Sequence, residues 1–169
     1  YESESNDTLA TADTATLGTA IKGQLSSYAD WDCYSVVVTS AGTLSVVFDV
    51  PSNSTSSDYF KLGVYDSTGT LLSFFSTGSD KTYTAGAPVT GTYYIAVTGN
   101  DYLNGYYYNS GQYSLTVSNT AGSTDGYESE SNDTLATADA ATLGTAITGQ
   151  LSSYADLDCY SVTVTSVGT

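Results

Sequence analysis

All four glutamates of this 169-residue chain lie in two copies of one short segment, Tyr-Glu-Ser-Glu-Ser-Asn-Asp, at residues 1–7 and 127–133. Alternate residues of an extended stretch share a side, so Glu2 and Glu4 point together, and Asn6 and Asp7 add oxygens where the chain turns. A second tight acidic pair, Asp30 and Asp32, follows in the first copy, and the set recurs as Glu128, Glu130, Asn132, Asp133, Asp156 and Asp158. Hard cations such as Ca²⁺ collect roughly six to eight oxygens from carboxylates, amides and backbone carbonyls, so two such clusters brought together make a calcium site. Zinc and copper prefer imidazole or thiolate, and the chain has no histidine and one cysteine per copy. The plainer alternative is a set of surface acids that keep the protein soluble, although like charges packed this closely repel one another without a cation. A carboxylate pair also serves glycosidases, but the sequence supplies neither a cleft nor a reason for one raised pKa. No catalytic residues are assigned and no enzyme is expected.

Those clusters sit inside a larger repetition. Residues 1–43 recur at 127–169 with five substitutions: Thr14 becomes Ala140, Lys22 Thr148, Trp31 Leu157, Val37 Thr163 and Ala41 Val167. None removes an acid. The chain therefore reads as one complete repeat, 1–118, a linker, 119–126, and the opening third of a second copy, 127–169.

Eighteen acidic residues against three lysines repel phosphate backbones and anionic membrane surfaces and attract cations, so no nucleic acid is expected as a partner. No apolar run approaches the roughly 20 residues of a membrane-spanning helix, and no membrane insertion is expected. Strong acidity with abundant Thr, Ser, Gly and Tyr points to a secreted protein at the cell surface or outside the cell.

The elements that must position the acids are strands. Period-two alternation marks Cys33 to Thr39, Thr43 to Val50, Tyr59 to Tyr65, Thr70 to Phe75, Gly91 to Thr98 and Gln112 to Val117, with a further strand near Ala20 to Leu25. Tyr34, Val36 and Val38 share one face, and Tyr113, Leu115 and Val117 another. Half-apolar strands of this kind need a second sheet to cover them, which predicts an all-β, antiparallel, jelly-roll-like β-sandwich in tandem repeats. Turns are expected at Asp66 to Gly69, Gly99 to Asp101 and Asn109 to Gly111. Thr8 to Thr19 reads as irregular chain with one helical turn.

Two further features invite function. The stretch Tyr102 to Tyr113 is either a hairpin with alternate tyrosines buried or a contact surface for neighbouring subunits, polysaccharide or matrix, with Tyr102, Tyr106, Tyr107 and Tyr108 as its candidates. Cys33 and Cys159 occupy equivalent positions on the face opposite Tyr34 and Tyr160. They are free thiols or form a disulfide between repeats or chains.

The run E-S-E-S-N-D-T-L-A-T-A, then G-Q-L-S-S-Y-A-D-W-D-C-Y-S-V-V-V, L-G-V-Y-D-S-T-G-T-L-L, G-T-Y-Y-I-A-V and G-Q-Y-S-L-T-V, resembles the bacterial pre-peptidase C-terminal domain over the whole first repeat. That family is related to the collagen-binding domains of clostridial collagenases. The resemblance implies a secreted β-sandwich binding calcium through its E-x-E-P-N-D segment and D-x-D cluster, here Glu2, Glu4, Asn6, Asp7, Asp30 and Asp32 and their counterparts. Ser5 and Ser131 stand where the family has proline.

A near-identical second copy favours a non-enzymatic, calcium-stabilised subunit of a filament or surface fibre, whose partners are copies of itself assembled head to tail. An accessory domain that anchors a secreted peptidase to its substrate or matrix is the alternative.

Overall fold

The computed structural model describes residues 1–55, 59–100, 107–122 and 126–166. Eleven strands are seen among them: β1 (Asp13–Thr14), β2 (Ile21–Gly23), β3 (Trp31–Val38), β4 (Gly42–Asp49), β5 (Phe60–Tyr65), β6 (Leu71–Thr77), β7 (Lys81–Ala87), β8 (Gly91–Gly99), β9 (Tyr113–Ala121), β10 (Asp139–Ala141) and β11 (Tyr160–Val162). The first nine form two sheets, ordered β1-β3-β8-β5-β6 and β2-β9-β4-β7. All their pairings are antiparallel except that of β1 with β3. The expected antiparallel sandwich is the observed fold.

Alternation decides what lies between the sheets. Tyr34, Val36 and Val38 of β3 meet Leu44, Val46 and Phe48 of β4, Phe60, Leu62 and Val64 of β5, Ile95 and Val97 of β8, and Tyr113, Leu115 and Val117 of β9, all at most 2 % exposed. Phe48 packs against Phe60 and Tyr113 with ring centroids 5.0 and 5.1 Å apart. Burying side chains of this size contributes about 1.5–3 kcal/mol each, which is what holds the two sheets together.

Two local expectations need correction, and a third, the single turn after Thr8, is met. Strand β7 is absent from the sequence reading because its inward residues Tyr83, Ala85 and Ala87 are mostly small and give little apolar signal. Strand β9 continues to Ala121, beyond the expected boundary at 118, because β4 supplies register partners for Ser118 to Ala121 despite their polarity. The segment after Thr8 holds a single 3-10 turn, Leu9–Thr11, capped reciprocally by Thr8 and Thr11, and then pairs through β1 with β3.

The turn at Asp66 closes as expected. Its carboxylate accepts from the Thr68 and Thr70 amides, and Gly69 N–H donates to its carbonyl at 3.1 Å. Of the tyrosine-rich stretch, Tyr102 and Tyr106 lie outside the described residues. Tyr107 and Tyr108 are exposed, and Tyr113 is buried in the core.

The second copy folds only locally. Its β10 and β11 pair in parallel, repeating the β1–β3 register, while Leu151, Tyr160 and Val162, counterparts of the buried Leu25, Tyr34 and Val36, are exposed. The strands that cover those positions in the first repeat have no equivalents among residues 127–166.

Candidate metal centre

The opening segment reaches the sandwich by adding to an edge. Glu2 N–H donates to the Lys22 carbonyl at 3.0 Å beside β2, and Cys33 N–H at the start of β3 donates to the Asn6 carbonyl at 3.1 Å. Between those anchors Asp13 acts as a staple, accepting from Ser3 N–H at 2.6 Å, Ser3 Oγ at 2.7 Å and Asn6 Nδ2 at 3.4 Å. Ser5 takes a φ of 69°, in the left-handed region, which proline cannot adopt. Serine at this position permits that turn.

Glu2 is held on both oxygens. Its Oε1 accepts from Gln24 N–H at 2.6 Å and its Oε2 from Tyr34 O–H at 2.6 Å. Tyr34 Oη lies 2.6 Å from Tyr113 Oη, and Tyr113 O–H donates to Asp32 Oδ2. Gly23 makes this possible, because a Cβ there would collide with both phenol oxygens. With both phenol protons committed to carboxylates, the contact between the two phenols has no proton to share. The chain gains from one more proton, and Asp32 is the group pushed up, to about 8, by burial and by the charge of nearby Glu2.

Two oxygens remain without partners. Asn6 Oδ1 and Asp32 Oδ1 make no hydrogen bond, although Asn6 is 1 % and Asp32 0 % exposed. A buried acceptor left unpaired costs about 1–3 kcal/mol, more when charged, unless a donor or a cation takes it. Asp30 stands beside them with Oδ2 accepting from Ser26 N–H at 2.5 Å. Burial and the charges of Asp30, Glu2 and Asp7 push Glu4 up. The charges of Glu2, Asp7 and Asp30 thus reach Glu4, and those of Glu2 and Asp30 reach Asp32.

The second copy rebuilds the arrangement. Ser129 N–H and Oγ donate to Asp139 at 2.7 Å each, Tyr160 O–H donates to Glu128 at 2.5 Å, and the Gln150 and Ser152 amides donate to Glu128 and Asp156. Carboxylate oxygens of Glu128, Glu130 and Asp158 come within 4.8 Å of one another, as do those of Glu130, Asp133 and Asp156. Among the described residues no such trio forms in the first copy. Glu130 Oε1, Asn132 Oδ1 and Asp158 Oδ1 are buried without partners. Burial and the charges of Asp156, Glu128, Asp158 and Asp133 push Glu130 up to about 7, and burial with the Glu128 contact pushes Asp158 up to about 6. Burial is the largest influence on the Asp156 carboxyl and pushes it up, but the hydrogen bonds from Ser152, Asp133 and the Leu157 backbone together outweigh it and hold that group below its usual range.

The residues present fit a hard cation. The donor set is all oxygen, it is over-rich in negative charge, and its unpaired atoms are the ones a cation would satisfy. Asp13 and its counterpart Asp139 escaped the sequence reading, which placed Tyr34, Tyr113 and Tyr160 on a core face and not at the acids. The one hint was that Asp13 recurs as Asp139 in an otherwise ordinary stretch.

Both cysteines are free thiols. Cys33 is buried beside Leu9, Trp31 and Tyr65, and burial pushes its thiol up to about 11, far from the reactive thiolate.

No protein-family model matches the chain, and no curated protein matches it. Among solved structures it is similar to the pre-peptidase C-terminal domain of a collagenase from Bacillus anthracis, at 22 % identity and a TM-score of 0.45, covering 63 % of this chain and 93 % of that one. It is also similar to PliG of Aeromonas hydrophila, a periplasmic inhibitor of g-type lysozyme, at 19 % identity and a TM-score of 0.43, covering 64 % and 99 %. The sandwich described above stands on its own strand register.

Proposed function

We propose that this chain is a non-enzymatic extracellular structural protein, a calcium-stabilised tandem-repeat subunit that assembles head to tail into a filament or surface fibre. The observation that carries the calcium reading is the set of buried, unpartnered oxygens, Asn6 Oδ1 and Asp32 Oδ1 in one copy and Asn132 Oδ1 and Asp158 Oδ1 in the next. Calcium would be held by Glu4, Asn6, Asp7, Asp30 and Asp32, with Glu2 free to join if Tyr34 releases it. It would cancel the mutual repulsion of the acids and tie the opening segment to the loop before β3. Tandem assembly is supported by the near-identity of the two copies and by the place of the second cradle, which lies against β7 of the first repeat. Unchanged calcium-free and calcium-loaded melting curves would remove the metal from this reading, and monodisperse particles in electron micrographs of calcium-loaded protein would remove the filament.

A second reading, an accessory module that binds substrate or matrix, is favoured by a groove of about 280 Å³ on the outer face of the five-stranded sheet. Tyr28, Trp31, Tyr65 and Phe74 line it, and Lys61 Nζ sits 4.9 Å over the Phe74 ring. Flat aromatic faces with polar edges suit a sugar ring or an extended peptide. Loss of retention on insoluble polysaccharide or collagen in Trp31→Ala would favour this reading over the fibre.

A further inference from the structure

The two copies of the opening segment differ in what their first residue touches. Tyr1 is 86 % exposed, with Lys22 Nζ 6.0 Å from its ring. Tyr127, the same residue of the same motif, lies on the outer face of the four-stranded sheet of the first repeat. Its ring covers Gly86 of β7, and its hydroxyl hydrogen-bonds Thr43 Oγ1 of β4.

Gly86 and Thr43 are direct cross-strand partners on that face, flanked by residues that point into the core. Glycine leaves the sheet surface bare, so a ring can lie against the backbone. A Cβ at Gly86 would come within 2.9 Å of Tyr127 Cδ1. Thr43 then supplies the single polar partner that a half-buried phenol needs. The pair makes a notch shaped for one tyrosine, spanning β4 and the edge strand β7, which would otherwise present a bare glycine.

A second observation agrees. Position 22 of the repeat is one of the five that differ between the copies, and its second-copy residue, Thr148, bridges to Tyr127 and lines the space shared with Thr84, Gly86 and Pro88 of the first repeat. A long charged lysine suits the exposed Tyr1, and a short threonine suits the joint.

We infer that the Gly86–Thr43 notch is a docking surface for the opening segment of the following repeat, with Tyr127 as its key. The partner this surface fits is a copy of the repeat itself. Tyr1 is the matching key for the notch of a preceding copy. The joint fixes how consecutive repeats are oriented, and it rests on the tandem-array reading above but not on calcium.

The full chain tests it by nuclear magnetic resonance, with calcium and with chelator. A ring lying on Gly86 shields its α protons, so these resonances should sit upfield in the native protein. Tyr127→Ala should abolish that displacement and Tyr1→Ala should leave it. Gly86→Val, which suits an outward-facing strand position, should evict Tyr127 and move the amide signals of residues 126–150 toward those of Tyr127→Ala. Core signals of Tyr34 and Tyr113 report that each variant is folded. Gly86 resonances unmoved by Tyr127→Ala, or moved equally by Tyr1→Ala, would overturn the joint. Displaced resonances in a protein that forms no fibres would keep the joint and sink the filament.

Discussion

The same 43 residues stand twice in this chain in two settings, one covered by a sandwich and one open, and the contrast separates what is local from what is borrowed. Both copies make the Asp staple on the first serine, the pairing of the two threonines after Asn-Asp, the parallel two-strand contact, and the bonds from a glutamine amide and a tyrosine hydroxyl to the first glutamate. These are links within the copy and survive without a core. Burial of the apolar positions does not survive: Leu25 is 0 % exposed and Leu151 59 %. The Tyr113 bond to Asp32 has no counterpart either, since Tyr113 belongs to β9. The cradle is therefore a local device, and the sandwich body supplies the low dielectric that pushes Asp32 higher than Asp158.

The largest test of that contrast is a pair of truncations at equivalent positions. Tyr34→Ala should destabilise the sandwich by about 3–5 kcal/mol in chemical denaturation, as removal of a fully buried aromatic does. Tyr160→Ala should shift the same transition by less than about 0.5 kcal/mol, because Tyr160 is 38 % exposed and lies outside the core between the sheets. Similar losses in both would mean that the second copy shares the core.

Calcium comes next. At free calcium roughly a hundredfold above the dissociation constant, one site should add about 2.7 kcal/mol to the native state. Thermal unfolding with calcium and with EDTA would show it, and Asp32→Asn should remove most of the difference. A calcium effect untouched by Asp32→Asn would place the ion elsewhere.

The pH dependence has a definite sign. The Asp32 carboxyl is raised in the folded state above its ordinary value, so its contribution is fully present in acid and is lost as pH rises through about 8. Calcium-free protein should therefore lose stability between about pH 4 and 8 from this group, and calcium should reverse the trend by displacing the proton. Carboxyl carbon resonances should place the Asp158 transition near 6, below that of Asp32. Equal midpoints would dissolve the contrast between the covered and the open cradle.

The smallest expected effect concerns the amide ligand. Asn6→Ala removes an oxygen but no charge, and calorimetric calcium affinity should fall about tenfold, or about 1.4 kcal/mol. An unchanged affinity would leave the unpartnered Asn6 Oδ1 without a cation to explain it.

Much of the fold was legible in the sequence because its strands alternate strongly. Cys33 to Thr39 and Thr43 to Val50 anticipate β3 and β4 to within a few residues, and the inward faces named from alternation are the buried ones. Strand β7 was not legible, since Ala85, Gly86 and Ala87 carry no β-branched or large apolar signal, and only the pairing partner β4 makes them a strand. The candidate ligands were legible because carboxylates at spacing two stand out in any sequence. Their supports were not. Tyr34 and Tyr113 are 79 residues apart, and nothing short of the closed sandwich sets their hydroxyls 2.6 Å from each other.

The sequence by itself determined the repeat, the alternating strands, the acidic ligand sets and the short-range bonds that shape each cradle. Those depend on residues that are neighbours along the chain or on side chains whose direction the strand period dictates. The tertiary structure alone decided the Tyr34–Tyr113–Asp32 chain, how far the Asp32 carboxyl is raised, and where Tyr127 finds its notch. Each of these depends on the distance and dielectric between segments far apart in sequence, and the two sheets must close on one another before either has a value.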